Sequence, residues 1–419
     1  MGDRDERRKE AIVSKRSKPL RSLKATRTEL ALHAALAALQ RFERRVEPSF
    51  RPALNATLRE PSVAFIQWLM NRRRPNEGLG LAQEREKPEE EAAALDAIIE
   101  RVGAYMREHY KPGEFQRGGN TKTHGIVRGE VTIRDDIPES MRRGVFATPT
   151  TFRAWVRFSG PGPDSPKDID DVGFVSCAIK LMGVPGPKLL DDESGTQDLI
   201  AVCTPTFVTP DITVNADLQA EILRGTPAFY FFRPRGTHLL DLLMQSWWNQ
   251  TQANPLEAQY WSCVPYLLGD GQAMMYSIRP RIKTRTRIPR GPRRPPDNYL
   301  RDAMVATLAD HDVEMDILVQ VQTDAHRMPI ENAAVRWPAR LSPWVPVATL
   351  RLPKQKFDSP AQFAFAHNLS YNPWHSIPEH RPLGNQSRAR RRMYSELSRL
   401  RQAQNQTPHI EPAGDETFD

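Results

Sequence analysis

Between Arg390 and Arg401 the chain spaces Arg390, Tyr394, Glu396 and Arg401 as R-x3-Y-x-E-x4-R. On an α-helix each residue turns about 100°, so Arg390, Tyr394 and Arg401 share one narrow sector of the surface. A phenol with guanidinium groups above and below it is an uncommon arrangement. Cationic neighbours favour phenolate over phenol, and a tyrosinate is a hard, anionic ligand used for ferric haem iron. The competing reading of the same residues is a solvated basic helix with one partly buried tyrosine.

Other elements must hold that helix in place. Leu32, Leu36, Leu39 and Val46 recur at helical spacing and predict a helix over 29–47, stopped by Pro48. Ser62 reads as the N-cap of a second helix, VAFIQWLM. Leu95, Ile98, Ile99, Val102 and Met106 make one stripe of a third, over 89–109. After Gly113 the texture becomes short, β-rich runs bounded by Gly, Pro or Asp: KTHGIVRGEVTIR, TFRAWVRFS, GFVSCAIKLM and QDLIAVCT. Residues 215–250 return to a helical pattern, and AMMYSIRP, EMDILVQVQT and VPVATLRLP read as three more strands. About seven strands, mostly in sequence order around a helical insertion, predict an antiparallel β-barrel in an α+β fold. The expected organisation is a basic, disordered arm over 1–28, a helical extension over 29–115 and the barrel over 116–355. A proline-rich connection with the Tyr394 helix follows over 356–405, then a flexible tail over 406–419.

Four short motifs, in order, resemble catalases. His124, in Lys122-Thr123-His124-Gly125, opens the first strand where catalases carry their distal histidine. Val156-Arg157-Phe158-Ser159 is similar to the catalase V-R-F-S strand. Ala178-Ile179-Lys180-Leu181 resembles the strand after the G-F-A-x-K segment. Thr204-Pro205-Thr206-Phe207 resembles the T-P-x-F segment that closes the distal pocket. The Tyr394 helix resembles the proximal haem-ligand helix. Tyr371-Asn372-Pro373-Trp374-His375 and Pro382-Leu383-Gly384 are similar to the smaller, divergent catalase-like proteins. The resemblance spans about residues 116–405. It implies haem b, with Tyr394 as the iron ligand, Arg390 as its hydrogen-bonding partner, and Arg157 and Arg401 on the propionates. It also implies His124 as the distal acid–base group, Ser159 as the residue that orients it, and Phe207 beside the cofactor. The implied activity is that of a haem oxidoreductase acting on hydrogen peroxide or an organic hydroperoxide.

The chain departs from that pattern. Where catalases place an asparagine just before the T-P segment, it has Val202 and Cys203. The distal arginine upstream of the histidine is replaced by Thr121 and Lys122. A missing preorganised donor weighs against fast disproportionation of hydrogen peroxide. Thr123 before His124 resembles the branch that uses lipid hydroperoxides, and a less polar pocket suits an organic or fatty-acid substrate. The alternative function is a non-enzymatic haem protein for storage, transfer or sensing.

Composition excludes several other classes. No apolar run among the 419 residues reaches the roughly 20 needed to cross a bilayer. The opening MGDRDERRKE has no signal-peptide character, and Glu6 breaks the myristoylation pattern. Cys177, Cys203 and Cys263 read as reduced, buried thiols of a cytoplasmic protein. The net charge of +8 gathers in residues 1–25 and 279–294 without interleaved aromatics, so nucleic acid is not an expected partner. The apolar N-terminal helix with its cationic end suits weak contact with a membrane surface, although packing on its own protein is favoured. Homo-oligomerisation is left open. His367, His375, Glu379 and His380 lie close in sequence, but their irregular spacing and the prolines argue against zinc. No P-loop, dinucleotide fingerprint or nucleophile elbow is present.

Overall fold

The computed structural model describes residues 25–171, 173–232, 236–281 and 285–418. Residues 1–24, which make up most of the expected disordered arm, lie outside the described residues, as do 282–284 of the second basic stretch.

Nine strands are present among the described residues: β1 (Thr123–Ile133), β2 (Thr151–Ser159), β3 (Ser176–Met182), β4 (Thr196–Val202), β5 (Tyr260–Trp261), β6 (Tyr266–Leu267), β7 (Ala273–Pro280), β8 (Val313–Val321) and β9 (Val345–Leu352). All pairings are antiparallel. β1 to β4 form a meander, and β9, β8 and β7 continue the sheet from the other edge of β1. The two-residue β5 pairs with both β4 and β7 and so closes the wall into an eight-strand barrel, with β6 as a short addition to β7. Closure removes the exposed sheet edges. Side-chain alternation then sorts the residues. Val127, Val156, Phe158, Ile179, Leu199, Ile278, Ile317 and Leu350 fill the interior, while Ile126, Arg157, Ala178 and Ile200 fall on the outer face.

Helices pack around this wall: α1 (Arg27–Val46), α2 (Arg51–Thr57), α3 (Arg59–Arg73), α4 (Pro88–His109), α5 (Ile212–Leu223), α6 (Leu239–Ser246), α7 (Tyr299–Asp310), α8 (Pro360–Asn368) and α9 (Asn385–Asn405). α1 opens with a Thr26–Glu29 capping box, two residues before the expected start. Ser62 is not an N-cap. Its N–H already bonds to Leu58 O inside a helix that begins at Arg59. The helical insertion resolves into α5 and α6. The segment after Asn405, expected to be loose, runs back over the barrel. Glu411 accepts from Ser194 N at 2.8 Å, Trp155 Nε1 donates to Glu416 at 2.7 Å, and the Phe418 ring packs 5.1 Å from that of Phe365.

The start of α9 is fixed by carboxylates. Gly384 N donates to Glu84 at 2.7 Å and Asn385 N to Glu331 at 2.8 Å, and Arg388 pairs with Glu84, Glu91 and Glu331. Acidic groups at a helix N-terminus satisfy orphan donors and complement the dipole. The turn requires glycine: Gly384 has φ 84°, and a Cβ there would lie 2.5 Å from Ile330 O. Gly384→Ala is expected to cost about 3 kcal/mol in a denaturant titration, since a residue outside the allowed regions and a backbone clash act together.

Candidate functional site

The register writes two rows across the outer face of β1 to β4. One is Ile126, Arg157, Ala178 and Ile200. The next is Thr123, Ser159, Ser176 and Val202. Ala178, Ile200 and Val202 are only partly buried although they sit mid-sheet, so the wall is open along these rows. Strands spaced about 4.8 Å apart put Ile200 about 10 Å from Arg157. Charges on α9 are felt at both ends of this span. At one end the charges of Arg157 and Arg401 act on each other. At the other, Tyr276 donates to Ile200 O at 2.9 Å, and Arg390 acts on the Tyr276 and Tyr266 hydroxyls. Seven residues of helix separate Tyr394 from Arg401, also about 10 Å. The sheet row and the inward side of α9 thus run between the same groups, and this span, the trough, has arginines at one end and Tyr394 towards the other.

At the arginine end, Arg157 and Arg401 are buried and half-buried Arg117 joins them. Arg157 Nη2 donates to Asn120 O and to Thr123 Oγ1, each at 2.7 Å, and its Nε has no partner. Arg117 and Arg401 cap carbonyls at the C-terminal end of α8: Arg117 donates to Ala366 O at 3.0 Å and to Leu369 O, and Arg401 to His367 O and Leu369 O. Those carbonyls carry only partial negative charge. Among the described residues none of the three arginines pairs with a carboxylate. Burial, and then mutual repulsion, lowers Arg401 to about 10. Burial lowers Arg157 to about 10 and Arg117 well below the usual range. The same charges, after burial, hold His367 down at about 4.

His124 sits in a β-bulge. Thr123 pairs with Ser159 and Gly125 with Phe158, which leaves His124 as the extra residue. Bulges re-aim side chains in this way. His124 lies next to Thr123, whose Oγ1 accepts from Arg157 at 2.7 Å, and close to the first turn of α7, where Leu300 N donates to Asp168 at 2.8 Å. It is buried, and neither Nδ1 nor Nε2 has a hydrogen-bond partner. Burial, followed by the charges of Lys122, Arg301 and Arg157, lowers it to about 3, so the ring is neutral near pH 7. The expected Ser159–His124 hydrogen bond is not formed, because the bulge pairs Ser159 with Thr123 instead. The nearest acid is Asp168, 3.8 Å from Nδ1, and it is held by Lys122 at 2.6 Å.

Near Tyr394, Arg390 is buried with its guanidinium 5.2 Å from the centre of the Phe207 ring. Gln245 of α6 fixes that strip by donating to Thr206 O at 3.0 Å and Phe207 O at 3.1 Å. Tyr394 is half-buried. His367, His375, Glu379 and His380 do not converge. His375 instead meets Glu193 and Asp198, and His380 accepts from Val145 N. All three cysteines are buried free thiols. No described helix is long and apolar enough to cross a membrane. Sequence reasoning misses Arg117 and Gln245. Arg117 lies in an irregular loop seven residues before His124, where no periodicity marks it.

No family model and no curated protein matches the chain. Solved structures do. A fungal catalase is 17% identical, covering 78% of this chain and 66% of its own, with a TM-score of 0.49. Catalase A from Saccharomyces cerevisiae is 16% identical, covering 83% and 73%, with a TM-score of 0.51. A bacterial catalase is 16% identical, covering 78% and 64%, with a TM-score of 0.47. This chain thus spans about two thirds of the length of the fungal and bacterial proteins. The closed antiparallel barrel, its surrounding helices and the likeness to the yeast structure establish that the chain has a catalase-like α+β fold.

Proposed function

We propose that the trough binds haem b and that the protein is an oxidoreductase acting on hydrogen peroxide or an organic hydroperoxide. The observation that carries this reading is the group Arg117, Arg157 and Arg401, which among the described residues have no acidic partner. Uncompensated guanidinium groups out of solvent call for an anion, and the two propionates of haem are such anions. Three further features support the fit: the partly open row beside them, the half-buried Tyr394 about one trough-length away, and an imidazole with both nitrogens uncommitted.

A bound ferric haem would supply the redox chemistry that cleaves the O–O bond. Tyr394 would hold its iron, with Arg390 one helical turn earlier and the Phe207 ring against that guanidinium. His124, neutral at working pH, would take the proton from the attacking oxygen and return it to the departing one. Val202, Ile200 and Ala178 give the wall an apolar lining, which favours an organic hydroperoxide.

The test is an absorption spectrum of the protein expressed with haem supplied, followed by turnover of hydrogen peroxide, cumene hydroperoxide and a fatty-acid hydroperoxide. A tyrosinate-type ferric spectrum with turnover supports the reading. Absence of a Soret band removes it, and a Soret band without turnover of any of the three leaves the storage or sensing alternative. His124→Ala should keep haem and lose turnover by about 10²- to 10⁴-fold. Because the ring stays neutral down to about pH 3, parent activity should show no fall through pH 6.5, where an ordinary histidine gains its proton. A titration centred there would argue against His124 as the base.

A further inference from the structure

We propose that Asn120 supplies the hydrogen-bond donor for a small oxygen or anionic ligand on the His124 side of the trough. The proposal rests on the haem reading above. It departs from the sequence expectation that such an amide is missing at Val202 and Cys203.

Asn120 is held from several directions. It has φ 51°, uncommon for a residue with a side chain. Its N–H donates to Pro161 O at 3.1 Å, and its carbonyl accepts from Arg157 Nη2 at 2.7 Å. Its Oδ1 accepts from Ser176 Oγ at 2.7 Å. That bond fixes the amide orientation and leaves the two N–H groups of Nδ2 uncommitted on a half-buried residue. Ser176 is the register partner of both Ser159 and Val202. The amide therefore stands against the same cross-strand row as the apolar Val202, but is delivered by the loop before β1 instead of by the end of β4.

The chemistry of that face asks for such a donor. The neutral His124 can accept a proton through an unpartnered nitrogen, and Thr123 Oγ1 already accepts from Arg157. A ligand oxygen that gives its proton to His124 becomes more negative and needs a donor that does not have to reorganise. Asn120 Nδ2, clamped through Ser176, meets that requirement. Asn120 thus touches the ligand itself, and Ser176, which acts through it, is the positioning residue.

The test uses fluoride, which binds ferric haem and depends on hydrogen-bond donors around it. Asn120→Gly accommodates the positive φ and removes the amide; Asn120→Asp keeps the shape and removes the donors. Both variants are expected to load haem as the parent does, with fluoride affinity lowered about 10- to 100-fold. Ser176→Ala, which frees the amide to turn, should give a smaller loss of the same sign. Fluoride affinity within about twofold of the parent in a haem-loaded Asn120 variant overturns the proposal. So does loss of haem in both Asn120 variants, which would make the residue a support for Arg157 alone. A parent protein without a Soret band overturns the haem reading and this proposal together, so the two failures are distinguishable.

Discussion

A chain carrying Arg157→Met and Arg401→Met is expected to fold and to hold haem at least about a thousandfold more weakly than the parent, measured by transfer of haem to a strong apoprotein acceptor. The magnitude follows from removing two charge-assisted contacts to carboxylates in a site shielded from water, each contributing about 2–5 kcal/mol when one partner is deleted. The fold should survive because neither arginine holds an acid. What they hold in the protein itself are neutral acceptors, the Asn120 carbonyl and Thr123 Oγ1 by Arg157 and carbonyls at the end of α8 by Arg401, and methionine keeps most of the packing volume. The sign of the apo effect is informative as well. Burial lowers both guanidiniums to about 10, so the folded state disfavours their charged forms at neutral pH, and haem should raise the melting temperature of the parent more than that of the double variant. Tyr394→Phe provides the contrast: it leaves the carboxylate sockets intact and removes the proposed iron ligand, so the ferric spectrum should change even where some haem is retained. An unchanged spectrum would remove Tyr394 from that role, and unchanged retention in the double arginine variant would remove the propionate sockets.

The barrel is legible in the sequence because its strands are short, β-branched and separated by turn residues. The alternation that buries Val127 and Val156 inside also turns Arg157 and Ile126 to the opposite face, so a strand motif announces both a core and a site. The Tyr394 helix is legible from a 3.6-residue period, and α9 indeed buries Arg390 and Arg401 on its inward side. What stays hidden depends on contacts distant in sequence. α7 and α8 lack strong apolar periodicity and become helices in the context of the barrel they cover. Arg117 joins the arginine cluster through carbonyls about 250 residues away. The bulge at His124, which breaks the expected bond to Ser159, depends on the pairing partner and leaves no mark in β1 alone. Asn120 is silent for a similar reason, since its amide matters only once Ser176 of β3 has fixed it. The polarity of the tail suggests a loose segment, yet those polar groups anchor it to Ser194, Gly195 and Trp155.

Lys180→Met should cost about 3–5 kcal/mol in unfolding free energy, a loss at least as large as that expected for Gly384→Ala. Lys180 is fully buried on the outer face of β3, with its ammonium bonded to Glu193, 2.9 Å from Asp198 and 3.3 Å from His375 Nδ1. Ligand atoms of Glu193, Asp198 and His375 lie within 4.8 Å of one another, a spacing that would suit a metal ion. The ammonium fills that position instead. Without it two carboxylates remain out of solvent, answered among the described residues by His375 and His409 and by the neutral donors of Thr196 and Asn372, and Glu193→Gln added to Lys180→Met should recover part of the loss through their coupling. The network also reaches the site. Asn372 N donates to Asp198 at 2.8 Å, and Asn372 Nδ2 to Ser395 Oγ at 3.3 Å, so the charge cluster steadies the turn of α9 that carries Tyr394. Its pH dependence has a definite sign. Burial and the Lys180 charge both act to lower His375, but its bonds to Asp192 and Asp198 outweigh them and raise it to about 9. A histidine raised on folding stabilises fully below its unfolded value of about 6.5 and loses that contribution as pH rises through 9. Parent stability should therefore decline between about pH 6.5 and 9. In the Lys180→Met protein the opposing ammonium is gone, His375 holds its proton more tightly, and the decline, which still begins near pH 6.5, should extend to higher pH. A decline that stays in place, or moves lower, would mean that Lys180 and His375 do not share one electrostatic network.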